Sequence, residues 1–283
     1  MLGSTLARYL TPLVDEVVEI NRSGTSIVNG NKVLTFDAVQ GQPITEYLER
    51  EQFDLVVNAV GLIKQLINEG NQEDAKTAYL INSDLPRELN RYAKDSSTQI
   101  IQIGTDCVYS GFEGNYSEDS EFDCNDLYGL SKVSGELESK SMMTIRCSII
   151  GHEVKSSVSL MDWFLSQPAS TSVNGYTNHM WNGVTTLTFA RVIHGIISKN
   201  KYSPGTIHLV PKDQISKFEL LKILAEVFRR NDIEIREFEA EIGVNRTLAT
   251  LFPHKNEQLW LNAGYTQLPS IAELIQEYAE WSS

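Results

Sequence analysis

The sequence predicts an α/β protein built on a doubly wound parallel sheet, with a smaller C-terminal part. Three observations carry this. Strand-like and helix-like stretches alternate through the first half, the order that βαβ units produce. The runs LVVNAV (55–60) and QIIQI (99–103) are almost continuously apolar, as strands covered on both faces are. The helical stretches between them are long enough for the crossovers that parallel pairing needs.

Taken in order, residues 1–12 read as a helix ending near Pro12. DEVVEINR (15–22) is a short β-branched strand closed by polar residues, and KVLTFD (32–37) is another. ITEYLEREQ (44–52) has helical periodicity, and FDLVVNAVG (53–61) is a buried strand running into a turn. A long helix is expected from Asn71 to Lys94, interrupted at Pro86. TQIIQIGTDCVYSG (98–111) is a strand ending in a polar loop, YGLSKVSGELESK (128–140) a helix and MTIRCSIIG (143–151) a strand. The second half is less regular. Helices are expected over 158–166, 186–199 and 217–230, a short strand over TIHLV (206–210), and a C-terminal amphipathic helix over SIAELIQEYAEW (270–281). A soft boundary at Gly151–Ser157 divides the chain into residues 1–152, expected to bind a dinucleotide, and 153–283, expected mainly to bind substrate, although the chain can cross back.

The 283 residues are 41% hydrophobic and 22% charged, ordinary for a globular protein and too apolar for disorder. Asp and Glu outnumber Lys and Arg by 37 to 24, giving a net charge of −13, which argues against a nucleic-acid binder. An anionic small ligand is still allowed, because a few local cations and helix N-termini can hold one. Cys107, Cys124 and Cys147 show no CxxC spacing, and so sparse a set suits a reducing compartment. No apolar run is long enough to span a membrane, and the N-terminus lacks the basic and apolar regions of a signal peptide. A cytoplasmic protein is expected. The five histidines show no metal-ligand spacing, so no metal site is expected. The acidic stretch from Glu113 to Asp126 reads as a solvated loop.

The chemistry-bearing signal is Tyr128-Gly-Leu-Ser-Lys132. Residues four apart lie on one helix face, and an ammonium beside a phenol favours the phenolate and lowers its pKa. Such a pair can pass a proton to or from a substrate oxygen. Thr105 lies just past a buried strand, where open α/β sheets bind ligands, and adds a hydroxyl.

Thr105, Tyr128 and Lys132, in this order and spacing, resemble the Ser/Thr–Tyr–Lys triad of the extended short-chain dehydrogenase/reductases. TDCVYSGFEGNYSE (105–118), DLYGLSK (126–132), RCSIIG (146–151) and MWNGVTT (180–186) are similar to the dTDP-4-dehydrorhamnose reductase branch of nucleotide-sugar 4-ketoreductases. The resemblance runs over nearly the whole chain and implies a Rossmann-like fold. It implies NADPH-dependent reduction of a 4-keto-deoxysugar nucleotide, feeding surface-polysaccharide synthesis. Tyr128 would protonate the sugar oxygen, Lys132 would hold the nicotinamide ribose and acidify Tyr128, and Thr105 would bond the same carbonyl. Leu2 and Gly3, Asp37, the Asn58-Ala59-Val60-Gly61 loop and Ser148 would contact the cofactor, with Asn82 near the active site. Asp106, Cys107, Trp181, Asn182 and Arg246 would line the substrate, with Thr185 close by. Arg22, after the VVEI strand, can pair with a 2′-phosphate, which favours NADP(H) over NAD(H). A homodimer is compatible with all of this.

Two departures matter. The branch's first strand and the opening glycines of its G-x-x-G-x-x-G turn should precede the helix that starts at Leu2, and only Gly3 matches. That strand is central in such a sheet, so the reading frame is expected to continue upstream of Met1, or dinucleotide binding to be lost. Asp106 is followed by Cys107 rather than a second acid, which argues against a 4,6-dehydratase. It leaves open an epimerase-reductase using Cys107 for proton transfer. A non-catalytic sugar-nucleotide- or NADP-binding regulatory subunit is the rival from another class.

Overall fold

The computed structural model describes residues 1–136, 139–154 and 157–282. The expected helix over 128–140 and the expected boundary at Gly151–Ser157 each include residues outside these.

The first half forms α1 (Leu2–Leu10), β1 (Val18–Asn21), β2 (Lys32–Thr35), α2 (Ile44–Glu51), β3 (Leu55–Asn58), α3 (Gln72–Tyr79), α4 (Leu85–Asp95), β4 (Gln99–Gly104), α5 (Leu127–Gly135) and β5 (Met143–Arg146). There follow β6 (Ile149–Ile150), α6 (Leu160–Leu165), β7 (Ser172–Tyr176), β8 (His179–Trp181), β9 (Val184–Thr185) and α7 (Thr186–Ser198). The chain ends with β10 (Gly205–His208), β11 (Ile215–Ser216), α8 (Lys217–Val227), β12 (Glu234–Phe238), β13 (Val244–Asn245), α9 (Pro253–Asn262) and α10 (Ile271–Ser282).

The main sheet has the order β10-β5-β4-β3, all parallel. Alternation along β4 feeds both faces. Ile101 joins a core with Leu6 and Leu10 of α1, Phe189 and Ile193 of α7 and Trp260 of α9. Ile100 joins another with Leu48 of α2 and Leu85 and Leu89 of α4. Helices therefore cover both faces, as the apolar runs predict. β10 crosses back to pair with β5, with Ile207 opposite Ile145. A third core, around Phe164, Val173, Leu220, Leu224 and Tyr278, holds α6, α8 and α10 together.

β1 and β2 pair only with each other, Ile20 opposite Leu34. Between β1 and β3 runs an apolar groove of about 140 Å³, lined by Val18, Ile20, Phe36, Leu55, Val57 and Leu89 among others. No described strand occupies it, and the facing edges of β1 and β3 are unpaired.

Pro86 does not interrupt the long helix as expected. A five-residue π-helical turn, Leu80–Asp84, joins α3 to α4 and leaves Pro86 in the first turn of α4. There a missing N–H costs little. The short strands β7–β9 and β11–β13 and the polar helix α9 are absent from the sequence-based reading. The two- and three-residue strands β8, β9, β11 and β13 leave too little periodicity to detect, while β7 and β12, five residues each, pair with each other and not with the main sheet.

Candidate active site

β4 ends at Gly104, and Thr105 stands at its carboxyl end, 9% exposed. Its Oγ1 accepts from Cys107 N–H at 3.2 Å and so caps a short 3₁₀ turn over Asp106–Val108. Helix α5 starts from Asp126, whose carboxylate accepts from Gly129 N–H at 2.8 Å and is held by Lys64 Nζ at 2.8 Å. Gly129 sets how close α5 comes to this loop. A Cβ there would lie 2.7 Å from the Cys107 carbonyl oxygen and 2.7 Å from Cys124 Cβ. That approach sets the Tyr128 phenol beside the Thr105 hydroxyl, which itself donates to Asp106 Oδ1 at 3.3 Å.

Burial pushes the Tyr128 phenol far above its ordinary range; Cys107 and Asp106 add to the shift, and the Thr105 hydrogen bond opposes it. The spacing predicts a phenol lowered by Lys132; desolvation of the phenolate instead raises it. Burial lowers Lys132 to about 8, against the pull of Glu136 and Cys107. Cys107 is pushed up to about 12, by burial first and Asp106 second, so it is a thiol at neutral pH.

Lys132 lies one turn beyond Tyr128 and over the loop after β3. A Cβ built on Gly61 would stand 3.0 Å from Lys132 Nζ and 3.6 Å from Asn82 Oδ1. Among the described residues, no hydrogen bond occupies the Lys132 ammonium. Asn82, inside the π-turn, accepts from Leu62 N–H at 2.9 Å and donates to Leu62 O and Ser131 Oγ, each at 3.0 Å. It locks the Gly61 loop to α5. Asn58 donates to Gln102 Oε1 at 2.8 Å and accepts from Val60 N–H at 3.2 Å, fixing the same loop to β4.

The other expected cofactor residues are spread unevenly. Ala59 packs on the α1 core, while Val60 is exposed. Leu2 is buried in that core and presents no polar group. A Cβ on Gly3 would meet Ala59 Cβ at 3.6 Å, an ordinary contact, so packing alone does not demand a glycine there. Arg22 is exposed in the turn after β1. Asp37 accepts from Val39 N–H at 3.0 Å and caps its own turn.

Among the residues expected to line the substrate, Trp181 Nε1 donates to Ser148 Oγ at 2.9 Å. Asn182 donates to Leu248 O at 2.7 Å and accepts from Leu248 N–H at 2.9 Å, anchoring the loop that carries Arg246. Arg246 Nε donates to the Tyr109 carbonyl at 2.8 Å. Thr185 caps α7 through Thr188 N–H. Lys217 stacks its ammonium 5.2 Å from the Trp181 ring centroid and was not anticipated. A surface depression of about 1020 Å³ lined by Thr45, Arg91, Thr98 and Asn200 lies at the amino ends of β3 and β4, away from Tyr128. Among the described residues there is no cluster that could hold a metal ion, and no helix is long and apolar enough to cross a membrane.

A sequence profile of the RmlD substrate binding domain matches residues 1–245. The chain belongs to this family. No curated protein matches its sequence. Among solved structures it is similar to a dTDP-4-dehydrorhamnose reductase from Yersinia enterocolitica, with a TM-score of 0.72 and 15% identity over 98% of this chain and 96% of that one. A dTDP-4-dehydrorhamnose reductase from Bacillus anthracis in complex with NADP gives a TM-score of 0.70 and 17% identity, over 95% and 100% of the chains. The enzyme WbmG of Bordetella bronchiseptica, in complex with NAD and UDP, gives 0.72 and 13%, over 99% and 90%. At these identities the likeness establishes the Rossmann-like fold.

Proposed function

We propose that this RmlD-family protein is a nicotinamide-dependent reductase of the 4-keto group of a deoxysugar nucleotide. The observation that carries the reading is the placing of the Tyr128 phenol, on α5, beside the Thr105 hydroxyl at the carboxyl end of β4. Lys132 stands one turn away, its ammonium without a hydrogen bond among the described residues. The residues at hand fit the nicotinamide half of a dinucleotide: the side-chain-free face of Gly61 lies against Lys132, and three ammonium protons are available for ribose hydroxyls. Lys132, Gly61, Val60 and Ser148 would hold that half, and the bound nicotinamide would supply hydride to the sugar carbon.

The chain's own residues handle the oxygen. Thr105 orients the carbonyl and Tyr128, protonated at neutral pH, delivers its proton to the oxyanion as that forms. The Lys132 charge then stabilises the phenolate left behind. Because Cys107 stays protonated, it is a poor base, which supports reduction over the epimerase-reductase alternative. The exposed Arg22 supports NADP(H) as the preferred cofactor. The reading assigns residues 1–152 mainly to the cofactor and 153–283 mainly to the substrate, and it fits a cytoplasmic enzyme of polysaccharide synthesis.

The test is oxidation of NADPH, and separately NADH, with dTDP-4-dehydrorhamnose as acceptor. Tyr128→Phe should lose on the order of 100-fold or more in turnover while binding cofactor nearly as well. A Tyr128→Phe protein as active as the parent refutes the assigned role. Quenching of nicotinamide fluorescence without turnover would instead favour a binding subunit.

A further inference from the structure

Arg146 ends β5 with its side chain 2% exposed, and the sheet register sets Gly104 of β4 on one side of it and His208 of β10 on the other. It therefore stands beside the carboxyl end of β4, next to Thr105. A guanidinium buried this deeply has to be paired. Its Nε and Nη2 donate to the Glu136 carboxylate, itself 8% exposed. Its Nη1 donates to the Tyr109 hydroxyl at 3.0 Å and to His208 Nε2 at 2.5 Å. The Tyr109 and Phe122 rings lie against it, their centroids 5.5 and 5.2 Å away.

These partners belong to the frame of the site. Glu136 closes α5: its N–H bonds the carbonyls of Lys132 and Val133 at 2.9 and 3.1 Å. Its Oε1 sits 3.0 Å from where a Cβ on Gly104 would stand, so the carboxylate occupies the bare face of that glycine. Tyr109 follows Thr105 in the same loop, and Phe122 precedes Asp126, the cap of α5. One β5 side chain thus grips the far end of α5 and both limbs of the loop at its start. Packed apolar side chains often give as much stability as a buried ion pair, so stability alone does not explain a charge pair here. Glu136 also continues the four-residue spacing of Tyr128 and Lys132 along one helix face. The groups that favour the Lys132 ammonium are Glu136, on its own helix, and Cys107, from the loop after β4, which is an uncharged thiol at neutral pH. Gly61, from the loop after β3, brings no side chain.

We propose that Glu136, held by Arg146, is a positioning residue: it fixes α5 so that Tyr128 and Lys132 are presented to Thr105, and it is the buried negative charge that Lys132 faces. The effect on turnover rests on the reductase reading above; the effect on Lys132 does not.

The experiment compares the full chain with Glu136→Gln, Glu136→Asp and the apolar double variant Glu136→Leu/Arg146→Met. Thermal melting reports folding. NMR of isotope-labelled lysine Cε, assigned with Lys132→Met, reads the Lys132 titration, and NADPH oxidation with dTDP-4-dehydrorhamnose gives the pH profile of turnover. In the parent, Lys132 should titrate at about 8. Glu136→Gln should move that titration, and the alkaline fall in turnover with it, to a pH about 1 lower, and cut turnover at about pH 8 on the order of 10-fold. Glu136→Asp keeps the charge and should recover most of the titration. The double variant should melt near the parent yet show both losses. A folded Glu136→Gln or double variant whose Lys132 titrates as in the parent overturns the proposal, and so does parental turnover in the double variant. A parent without turnover, whose Lys132 still responds to Glu136→Gln as expected, refutes the reductase reading and supports the role of Glu136.

Discussion

Gly61→Ala is the sharpest probe of how Lys132 is held. The added Cβ would lie 3.0 Å from Lys132 Nζ, closer than a carbon and an ammonium nitrogen normally approach. The backbone of Gly61 is outside the left-handed region, so alanine is not strained there. The position is exposed, and the loss of unfolded-chain entropy should leave the variant equal in stability or more stable by about 0.5 kcal/mol. Relief has to come from the ammonium, which must withdraw by roughly 0.5 Å. Since a misplacement of about 1 Å in a catalytic constellation costs on the order of 100-fold, half of that costs about 10-fold, or ~1.4 kcal/mol of activation free energy. Stability and turnover should thus move in opposite directions. Steady-state NADPH oxidation and urea denaturation measure the two. The same substitution in a Lys132→Ala background, where no ammonium is left to displace, should have almost no further effect on rate. A Gly61→Ala protein with parental turnover, or an equal loss in both backgrounds, would show that Lys132 is not packed over this loop.

Gly129→Ala should act through the fold. Its Cβ would meet the Cys107 carbonyl at 2.7 Å, and a backbone oxygen cannot swing aside, so a loss of about 1–3 kcal/mol in urea denaturation is expected; unchanged stability would refute the close packing of α5. The network around Arg146 predicts acid sensitivity. His208, fully buried, accepts from Arg146 at 2.5 Å and donates from Nδ1 to Ala249 O at 2.7 Å. Burial, and then the Arg146 charge, lowers it to about 4. Between its ordinary value and about 4 the unfolded chain binds a proton that the folded chain refuses, so stability should fall as pH drops from about 6.5 to 4. A melting temperature flat from pH 7 to pH 5 would count against this.

The sequence by itself determined the parallel α/β architecture of the first half and the shared helix face of Tyr128 and Lys132. Ile100 and Ile101 can each be buried in a run like QIIQI only if both faces of the strand are covered. The four-residue spacing of Tyr128 and Lys132 fixes them on one helix face whatever surrounds that helix. Tertiary structure decided what depends on segments distant in the chain. The acidity of Tyr128 follows from desolvation, which no spacing encodes. The π-turn that absorbs Pro86 also aims Asn82 at the Gly61 loop and α5, across intervals of 20 and 49 residues. Lys217 reaches the Trp181 ring only because a two-residue strand pairs with β8. Local periodicity reports which face of an element is buried. The charge environment of a side chain is set by whatever packs against it, and that is a property of the folded chain alone.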